Sequence, residues 1–204
     1  MTAQNIKLPA PSTQGGMPMN KVMSSRHSVR EYDTAREVDN ATLGQILWMT
    51  AGINRPDAKP GHGGMVANRT NPTALNRQEI RVYVFGKDSV SEYVADGHML
   101  RQVCAGDHRK LLAGTAQFSQ DFVTDAPYIV LFVADLSGLP EDEATRQMAL
   151  IDAGIACENL NLACVSEGLA TVPRATMDKE AVSSLLGFTA LQIPVLNNPV
   201  GYAR

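Results

Sequence analysis

The sequence predicts a single globular domain built on a mixed sheet with helices on both faces. The chain has 204 residues, 44% hydrophobic and 19% charged, which is enough for one domain with a substantial core. A continuous apolar run at residues 128–134 is typical of a strand covered on both faces. Strand patterns and helix patterns alternate along the chain, which favours helices on both sides of the sheet.

Four helices are predicted from their end signals and their apolar periodicity. They are expected over residues 18–25, 41–51, 141–168 and 177–186. Asp39 or Asn40 is expected to cap the second helix and Thr176 the fourth, because short polar side chains accept hydrogen bonds from the first turn. Gly52 and Gly187 are expected to end these two helices.

The helix over 141–168 carries the strongest signal. About 28 residues make it roughly 42 Å long. Apolar and small side chains surround nearly its whole circumference, so the helix is predicted to be buried in a core or in an interface. Asp152 and Glu158 lie in its middle and argue against a membrane span, and no membrane association is expected.

Four segments show strand patterns. They lie at residues 80–86, 128–134, 170–173 and 192–202. The first alternates apolar and polar residues and is expected to be half-buried. The last holds Pro194 and Pro199, so it is predicted to be an edge strand or an interrupted one. Residues 90–118 are predicted to contain helical stretches broken near residues 104–107.

Two segments lack periodicity. Residues 1–18 are polar and rich in Pro and Gly, which predicts an extended N-terminal arm before a single domain over 19–204. Residues 54–79 are rich in Gly, Pro and Asn, and a long irregular stretch inside a domain usually carries function or disorder. A cytoplasmic protein is expected; a cleaved signal peptide would also leave such an arm, so a periplasmic or exported protein stays open.

Composition argues against several classes of function. A net charge of −3 gives no support for nucleic-acid binding. The three cysteines are odd in number and widely spaced, which argues against a disulfide framework. The four histidines are scattered, so no metal site is predicted. The sequence also shows no convincing Ser/His/Asp or Cys/His set for nucleophilic catalysis.

The segment Arg-His-Ser-Val-Arg-Glu-Tyr at 26–32 is the clearest candidate for binding chemistry. Arg26 and Arg30 stand four apart with Ser28 between them. Guanidinium groups match phosphate oxygens and a hydroxyl adds a neutral donor, so the cluster suits a phosphate monoester. The alternative is a solvated basic stretch in which Glu31 is the partner.

A second candidate is the segment at residues 69–79, which leads directly into a predicted strand. It places amide, hydroxyl and guanidinium donors beside small residues that let the backbone approach a flat ring. A flavin needs donors near its pyrimidine oxygens and a main-chain N–H near N5. The alternative is an ordinary polar loop.

These motifs together resemble the nitroreductase family. RHSVREY is similar to the R-x-S-x-R-x-F/Y signature, and RTNPTALNRQE to the second flavin loop. The segment 151–169 resembles the long central helix, which ends in Gly-Leu, and Pro-Val-Gly-Tyr at 199–202 resembles the terminal motif. The four matches stand in family order and span residues 21–204. The loop at 69–79 is closer to the branch that includes azoline-oxidising enzymes.

The resemblance implies an α+β fold, an intertwined homodimer, and FMN sites at the subunit interface. It places the FMN phosphate on Arg26, Ser28 and Arg30, with His27 beside them and Arg204 reaching it from the C-terminus. It places one side of the flavin ring on Pro72, Thr73, Ala74 and Asn76. It places the other side on Val172, Pro173, Arg174 and Ala175.

The resemblance also implies the activity. Hydride from NAD(P)H would pass through flavin N5 to a small electron-poor acceptor such as a quinone or a nitroaromatic, with ping-pong kinetics and no catalytic side chain. Two alternatives stay open: a flavin dehydrogenase acting on an organic or peptide-derived substrate, and a non-catalytic FMN-binding protein.

The chain departs from the family pattern at two places. Ala175-Thr176 stands where many members have Glu-Gly, so only a backbone N–H is available beside flavin N5. The Gly-rich insertion at 54–68 is peculiar to this chain and is predicted to be a flap over the acceptor site.

Overall fold

A seven-stranded sheet forms the centre of the computed structural model, which describes residues 5–57 and 67–204. The strands are β1 (Asn5–Lys7), β2 (Ile53–Arg55), β3 (Asn68–Arg69), β4 (Ile80–Phe85), β5 (Ser89–Val94), β6 (Met99–Ala105), β7 (Tyr128–Asp135), β8 (Ala170–Thr171) and β9 (Gln192–Gly201). The helices are α1 (Met19–Ser25), α2 (Asn40–Ala51), α3 (Glu143–Ser166) and α4 (Lys179–Leu186), with short 3₁₀ turns at Ala74–Asn76, Arg109–Leu112 and Asp121–Asp125.

The strand order in the sheet is β1-β6-β5-β4-β7-β9-β8, and β2 pairs with β3 in a separate ribbon. The α+β fold class is confirmed. Each pairing between the described strands is antiparallel, so the sheet that the sequence predicted as mixed is antiparallel here. The segment predicted as an extended arm contributes β1, which pairs with β6 at the edge of the sheet.

Strand β7 is central and buried on both faces, as its apolar run predicted. Because side chains alternate along a strand, its residues serve two separate cores. Val130, Phe132 and Ala134 face the core that contains α2 and α3. Ile129 and Leu131 face the second core, under α4 and the 3₁₀ turns. The prediction of helical layers on both faces is therefore confirmed.

Helix α3 is the main cover of the first core. Its cap is Asp142, whose side chain accepts from the backbone N–H of Thr145 at 2.7 Å. Ala153, Ala156 and Leu160 are fully buried against the sheet and α2. Helix α3 is long and apolar enough to cross a membrane. Half of its most apolar stretch is buried inside this fold, as expected for the core helix of a domain.

The prediction of helical stretches in residues 90–118 was wrong over its first half. Strands β5 and β6 form a hairpin there, whose turn contains Gly97 at φ 82°. Val90, Tyr93 and Leu100 are buried. Val90 belongs to the second core, whereas Tyr93 and Leu100 belong to the first, so β5 contributes to both. The apolar spacing is ambiguous between helix and strand in such short segments, and the pairing with neighbouring strands decides it.

Strand β4 is more buried than its alternating pattern predicted, since β5 and β7 flank it and five of its six residues are buried. Strand β9 is interrupted, as its prolines predicted. Its pairing with β7 shifts register between Phe132 and Val133, opposite Pro194, and only the two-residue strand β8 lies beyond it. The missing N–H of Pro194 is thus accommodated at a bulge.

The cap of α4 also differs from the prediction. Asp178, not Thr176, accepts from the first turn, with Oδ1 2.9 Å from the backbone nitrogen of Ala181. Gly187 ends the helix in the left-handed conformation, as predicted.

This difference can be tested by substitution. We expect Asp178→Ala to lower the free energy of unfolding by about 1 kcal/mol, because the Ala181 N–H loses its acceptor. Chemical denaturation should show a much smaller loss for Asp178→Ser, which keeps a capping oxygen, and for Thr176→Ala. An equal loss for Asp178→Ala and Thr176→Ala would contradict the assignment.

Candidate functional site

The phosphate-binding candidate lies directly after α1 and runs beside strand β8. The backbone N–H of Val29 donates to the Thr171 carbonyl at 3.1 Å, which fixes this segment to the sheet. Arg26, Ser28 and Arg30 are exposed, while Val29 is half-buried. The segment therefore presents two guanidinium groups and a hydroxyl to the surface.

The C-terminus folds back onto the same segment. Tyr32 forms a β-bridge with Ala203, and its hydroxyl donates to the Pro199 carbonyl at 3.3 Å. The backbone N–H of Arg204 donates to the Glu31 carbonyl at 3.2 Å. The structure thus brings the last residue of the chain to the predicted phosphate cluster, from more than 170 residues away in sequence.

A cavity of about 220 Å³ joins this cluster to the segment after β8. Arg26 and His27 line one side of it, and Pro173 and Thr171 line another. His27 is held by a 2.8 Å contact between its Nδ1 and the Ser25 carbonyl. The first and third predicted site segments therefore meet at one cavity.

The side chain of Arg174 points into the protein, which leaves its backbone as the part of this residue that can cover a ring. Only 7% of the residue is exposed. Its guanidinium donates to the carbonyl oxygens of Leu112 at 2.7 Å and Ala113 at 3.0 Å, to Asn197 Oδ1 at 2.7 Å and to Gln120 Oε1 at 2.9 Å. Burial lowers the pKa of Arg174, although it stays a cation.

The role of Arg174 is therefore to anchor its segment, not to contact a ring with its side chain. Val172 and Arg174 are buried, whereas Pro173 and Ala175 are exposed on the opposite side. A bridge between Arg174 and Asn197 fixes the backbone here. The sequence could not show this, because the partners of the guanidinium include backbone carbonyls from a distant turn.

The second candidate loop has an unusual backbone. Leu75, Asn76 and Gln78 have φ of 54°, 53° and 56°, a left-handed conformation that is uncommon outside glycine. The loop is held by its own side chains: Thr73 Oγ1 accepts from the Gln78 backbone N–H at 3.0 Å, and Gln78 Nε2 donates to Asn76 Oδ1 at 3.0 Å. Such backbone strain persists only where surrounding contacts impose it, and it is often found at binding sites.

A second cavity, of about 270 Å³, opens at this loop. Its lining includes Pro72, Thr73, Asn76 and Asn71. Asn76 Nδ2 and Asn71 Oδ1 are buried and have no hydrogen-bond partner among residues 5–57 and 67–204. An unpaired donor and an unpaired acceptor at one cavity fit the polar edge of a planar ring that carries both carbonyl and N–H groups.

Two acidic residues at this loop were not among the predicted site residues. Asp152 on α3 is buried, and its Oδ2 accepts from the backbone N–H of Ala74 at 2.7 Å. Glu79, at the end of the loop, lies against it. Burial above all, and then the neighbouring Asp152, raises the pKa of Glu79 to about 7. The sequence used Asp152 only as an argument against a membrane span.

The two cavities lie at different positions along α3. Asp152 holds the loop, whereas Asn161 lines the cavity of the cationic cluster. Nine residues of helix separate them, or about 13 Å. A single chain therefore presents two separate candidate sites.

Part of the predicted flap lies outside the described residues. Its flanks form the β2–β3 ribbon, where Thr70 donates its backbone N–H to the Gly52 carbonyl at 2.8 Å. Residues 58–66 are not described. In the described part of the chain, no group of three His, Cys, Asp or Glu side chains could hold a metal ion.

The fold is thus an α+β sheet protein with one cavity beside Arg26 and His27 and another lined by the amides of Asn71 and Asn76. The family model described as the nitroreductase family matches residues 23–202. The chain belongs to the nitroreductase family.

Several solved structures share this fold. A protein from Ralstonia eutropha JMP134, assigned as a nitroreductase, is 29% identical with a TM-score of 0.84, over 98% of this chain and 90% of its own. One from Anabaena variabilis ATCC 29413 is 18% identical with a TM-score of 0.75, over 99% of this chain and 42% of its own. A nitroreductase family protein from Clostridium novyi NT is 19% identical with a TM-score of 0.63, over 92% of this chain and 86% of its own. No curated protein sequence matches the chain.

The contrast between a buried and an exposed arginine gives a test. We expect Arg174→Met to lower the free energy of unfolding by about 3 kcal/mol, because buried acceptors lose their donors. Arg26→Met, the same substitution at an exposed position, should change it by less than about 0.5 kcal/mol when both variants are compared in ligand-free protein, because a bound ligand adds its own stabilisation. Urea denaturation of both variants measures this, and equal stabilities would contradict the anchoring role of Arg174.

Proposed function

We propose that this protein is an FMN-dependent oxidoreductase that transfers hydride from NAD(P)H to small electron-poor acceptors such as quinones or nitroaromatics by ping-pong kinetics. The observation that carries the proposal is the exposed cationic cluster of Arg26 and Arg30, to which the fold returns Arg204. A cluster of this size suits one phosphate monoester, and membership of the nitroreductase family makes a flavin mononucleotide the ligand that fits it.

In this proposal two groups of residues bind different parts of the cofactor. Arg26, Ser28, Arg30 and Arg204 bind the phosphate in this proposal, with His27 beside them. Pro72, Thr73, Ala74 and Asn76 contact one side of the ring, where the unpaired amide of Asn76 donates to a ring acceptor. Bound FMN supplies the hydride chemistry at its N5.

The acceptor side is formed by Pro173 and Ala175, which face outward on a segment that Arg174 anchors. Ala175 offers a backbone N–H beside the ring and no side chain that could relay a proton. That N–H stabilises negative charge on a reduced ring, and solvent supplies the proton to the acceptor. A site with so few polar side chains favours broad acceptor use.

We propose that the working unit is a homodimer across α3. One face of this helix leaves apolar side chains at spacings of three, four and seven residues, each partly or fully exposed. They are Ala144, Met148, Ile151, Ile155 and Leu162. Ile151 is 56% exposed, as is Leu75 on the neighbouring loop. A second copy on this face buries both and brings the loop of one protomer towards the cationic cluster of the other.

The resemblance of the 69–79 loop to azoline-oxidising enzymes supports a second candidate. In that case the protein is a flavin dehydrogenase that oxidises an organic or peptide-derived substrate and passes electrons to oxygen. A third candidate is a non-catalytic FMN-binding protein. These candidates differ in whether NAD(P)H reduces the bound flavin.

Anaerobic reduction separates the candidates. We expect the purified protein to carry FMN, NAD(P)H to bleach its yellow colour, and a panel of quinones and nitroaromatics to restore it. Arg26→Ala should weaken FMN binding by about 10- to 100-fold, because a charge-assisted bond worth about 1.5–3 kcal/mol is lost.

The outcomes are distinct. Bleaching without reoxidation by any acceptor would favour a dedicated substrate, and bound FMN without bleaching would favour the dehydrogenase or the carrier. Unchanged FMN affinity in Arg26→Ala would contradict the phosphate assignment.

The dimer can be tested at Ile151. We expect Ile151→Lys to shift the protein towards monomer in sedimentation at micromolar concentration and to lower its FMN content, because a charge is placed in an apolar interface. Ser184→Lys adds the same charge on exposed α4 and should remain dimeric. A flavin-loaded monomer of the unmodified protein would contradict the shared site.

A further inference from the structure

The loop over residues 72–79 is attached to α3 through one carboxylate at both of its ends. Near its start, the Ala74 backbone N–H donates to Asp152 Oδ2 at 2.7 Å. At its end, the carboxyl of Glu79 contacts the same Asp152 side chain. The left-handed residues Leu75, Asn76 and Gln78 all lie between these two attachments. Asp152 therefore sits where it can hold the strained part of the loop in place.

Both carboxyl groups are removed from solvent. Asp152 is 4% exposed and Glu79 is 7% exposed. Glu79 Oε2 is buried with no donor from any described residue. The backbone N–H of Glu79 bonds its own carboxylate and lowers its pKa, but burial raises the pKa by more. Two carboxylates in contact disfavour simultaneous ionisation, and one proton between them turns the repulsion into a hydrogen bond.

The other charged groups around Glu79 and Asp152 do not offset the repulsion between the two carboxylates. Arg77 lowers the pKa of Glu79, but by less than burial and Asp152 raise that pKa. The guanidinium of Arg77 also donates from Nη1 to Thr145 Oγ1 at 3.4 Å. Arg69 on β3 also interacts with Glu79, while its Nε donates to Gln78 Oε1 at 2.9 Å. Asp142, at the start of α3, interacts with Arg77 rather than with Glu79.

We infer that Asp152 is a positioning residue for the ligand-binding loop, and that it holds the loop through a proton shared with Glu79. The ligand is the flavin of the proposed function, on which this part of the inference rests. The shared proton lets Asp152 stay an acceptor for the Ala74 N–H while it also binds the end of the loop. The loop keeps its shape as long as the proton is present.

The sign of the pH dependence follows from the direction of the shift. The pKa of Glu79 is raised from 4.5 to about 7 in the folded protein. The stabilising contribution is therefore complete below about pH 4.5 and is lost as the pH rises through about 7. Above that range Glu79 and Asp152 repel each other, and the loop loses one of its two attachments.

The titration of Glu79 can be measured without any cofactor. In protein carrying ¹³C-labelled glutamate, we expect one side-chain carboxyl signal to titrate near pH 7 and to be missing in Glu79→Gln. Asp152→Asn should lower the midpoint of this signal by about one pH unit, because a like charge is removed. Glu180→Gln, at an exposed position on α4, should leave it unchanged.

The link to the ligand is measured with FMN, whose fluorescence reports release from the protein. We expect the Kd for FMN, between about pH 6 and about pH 8, to rise about tenfold more in the unmodified protein than in Glu79→Gln, which keeps a hydrogen-bonding group that does not ionise. Ionisation of the FMN phosphate, whose second pKa is about 6, changes the Kd equally in both proteins and cancels in this comparison.

Two results would overturn the inference: titration of Glu79 below about pH 5, near its ordinary range, or the same pH dependence of the Kd in both proteins. If FMN fails to bind at every pH, the proposed function fails, and the shared proton is then decided by the carboxyl titration alone.

Discussion

Helix α3 is apolar around most of its circumference, and one sheet can cover only one side of it. The buried side packs Ala153, Ala156 and Leu160 against the sheet and α2. The opposite side leaves Met148 and Ile151 exposed in the single chain. At about 25 cal/mol per Å² of apolar surface, leaving such a face in water is costly, which makes a second covering layer the stable solution. The proposed homodimer satisfies this constraint.

The same helix determines where the candidate sites lie. Asp152 holds the loop with the unpaired amides, and Asn161 lines the cavity of the cationic cluster. Asn161 also connects this cavity to the sheet, since Asn198 Nδ2 donates to Asn161 Oδ1 at 2.9 Å and to Thr171 Oγ1 at 3.1 Å. Polar groups within an apolar helix are costly unless they are paired, and both of these side chains are paired, Asp152 with Ala74 and Asn161 with Asn198.

The sequence predicted those parts of the fold and of the site that local signals control. The apolar run of β7 and the interruption of β9 at its prolines depend on neighbouring residues. The β5–β6 hairpin was missed because its short apolar segments fit either periodicity until strand neighbours are known. Motif spacing placed Arg26 in the cationic cluster, whereas the guanidinium of Arg174 bonds backbone carbonyls that only the tertiary structure supplies. The contact between Glu79 and Asp152 joins residues 73 positions apart, and nothing local in the sequence indicates it.

Because Arg174 is buried, it holds one side of the proposed site rigidly. Its guanidinium and its backbone bridge to β9 fix the segment, so the exposed Pro173 and Ala175 stand on a rigid support. The loop over residues 72–79 is held differently, by hydrogen bonds of its own side chains and by Asp152. In the proposed site one face of the ring therefore meets a fixed surface, and the other meets a loop whose shape depends on a proton. Fixed backbone donors stabilise developing charge without reorganising, which suits a cofactor that carries the chemistry itself. Under the proposed function, Pro173 and Ala175 add shape but no charge, and the acceptor is then selected by its electron deficiency and its fit over the ring rather than by a dedicated polar contact.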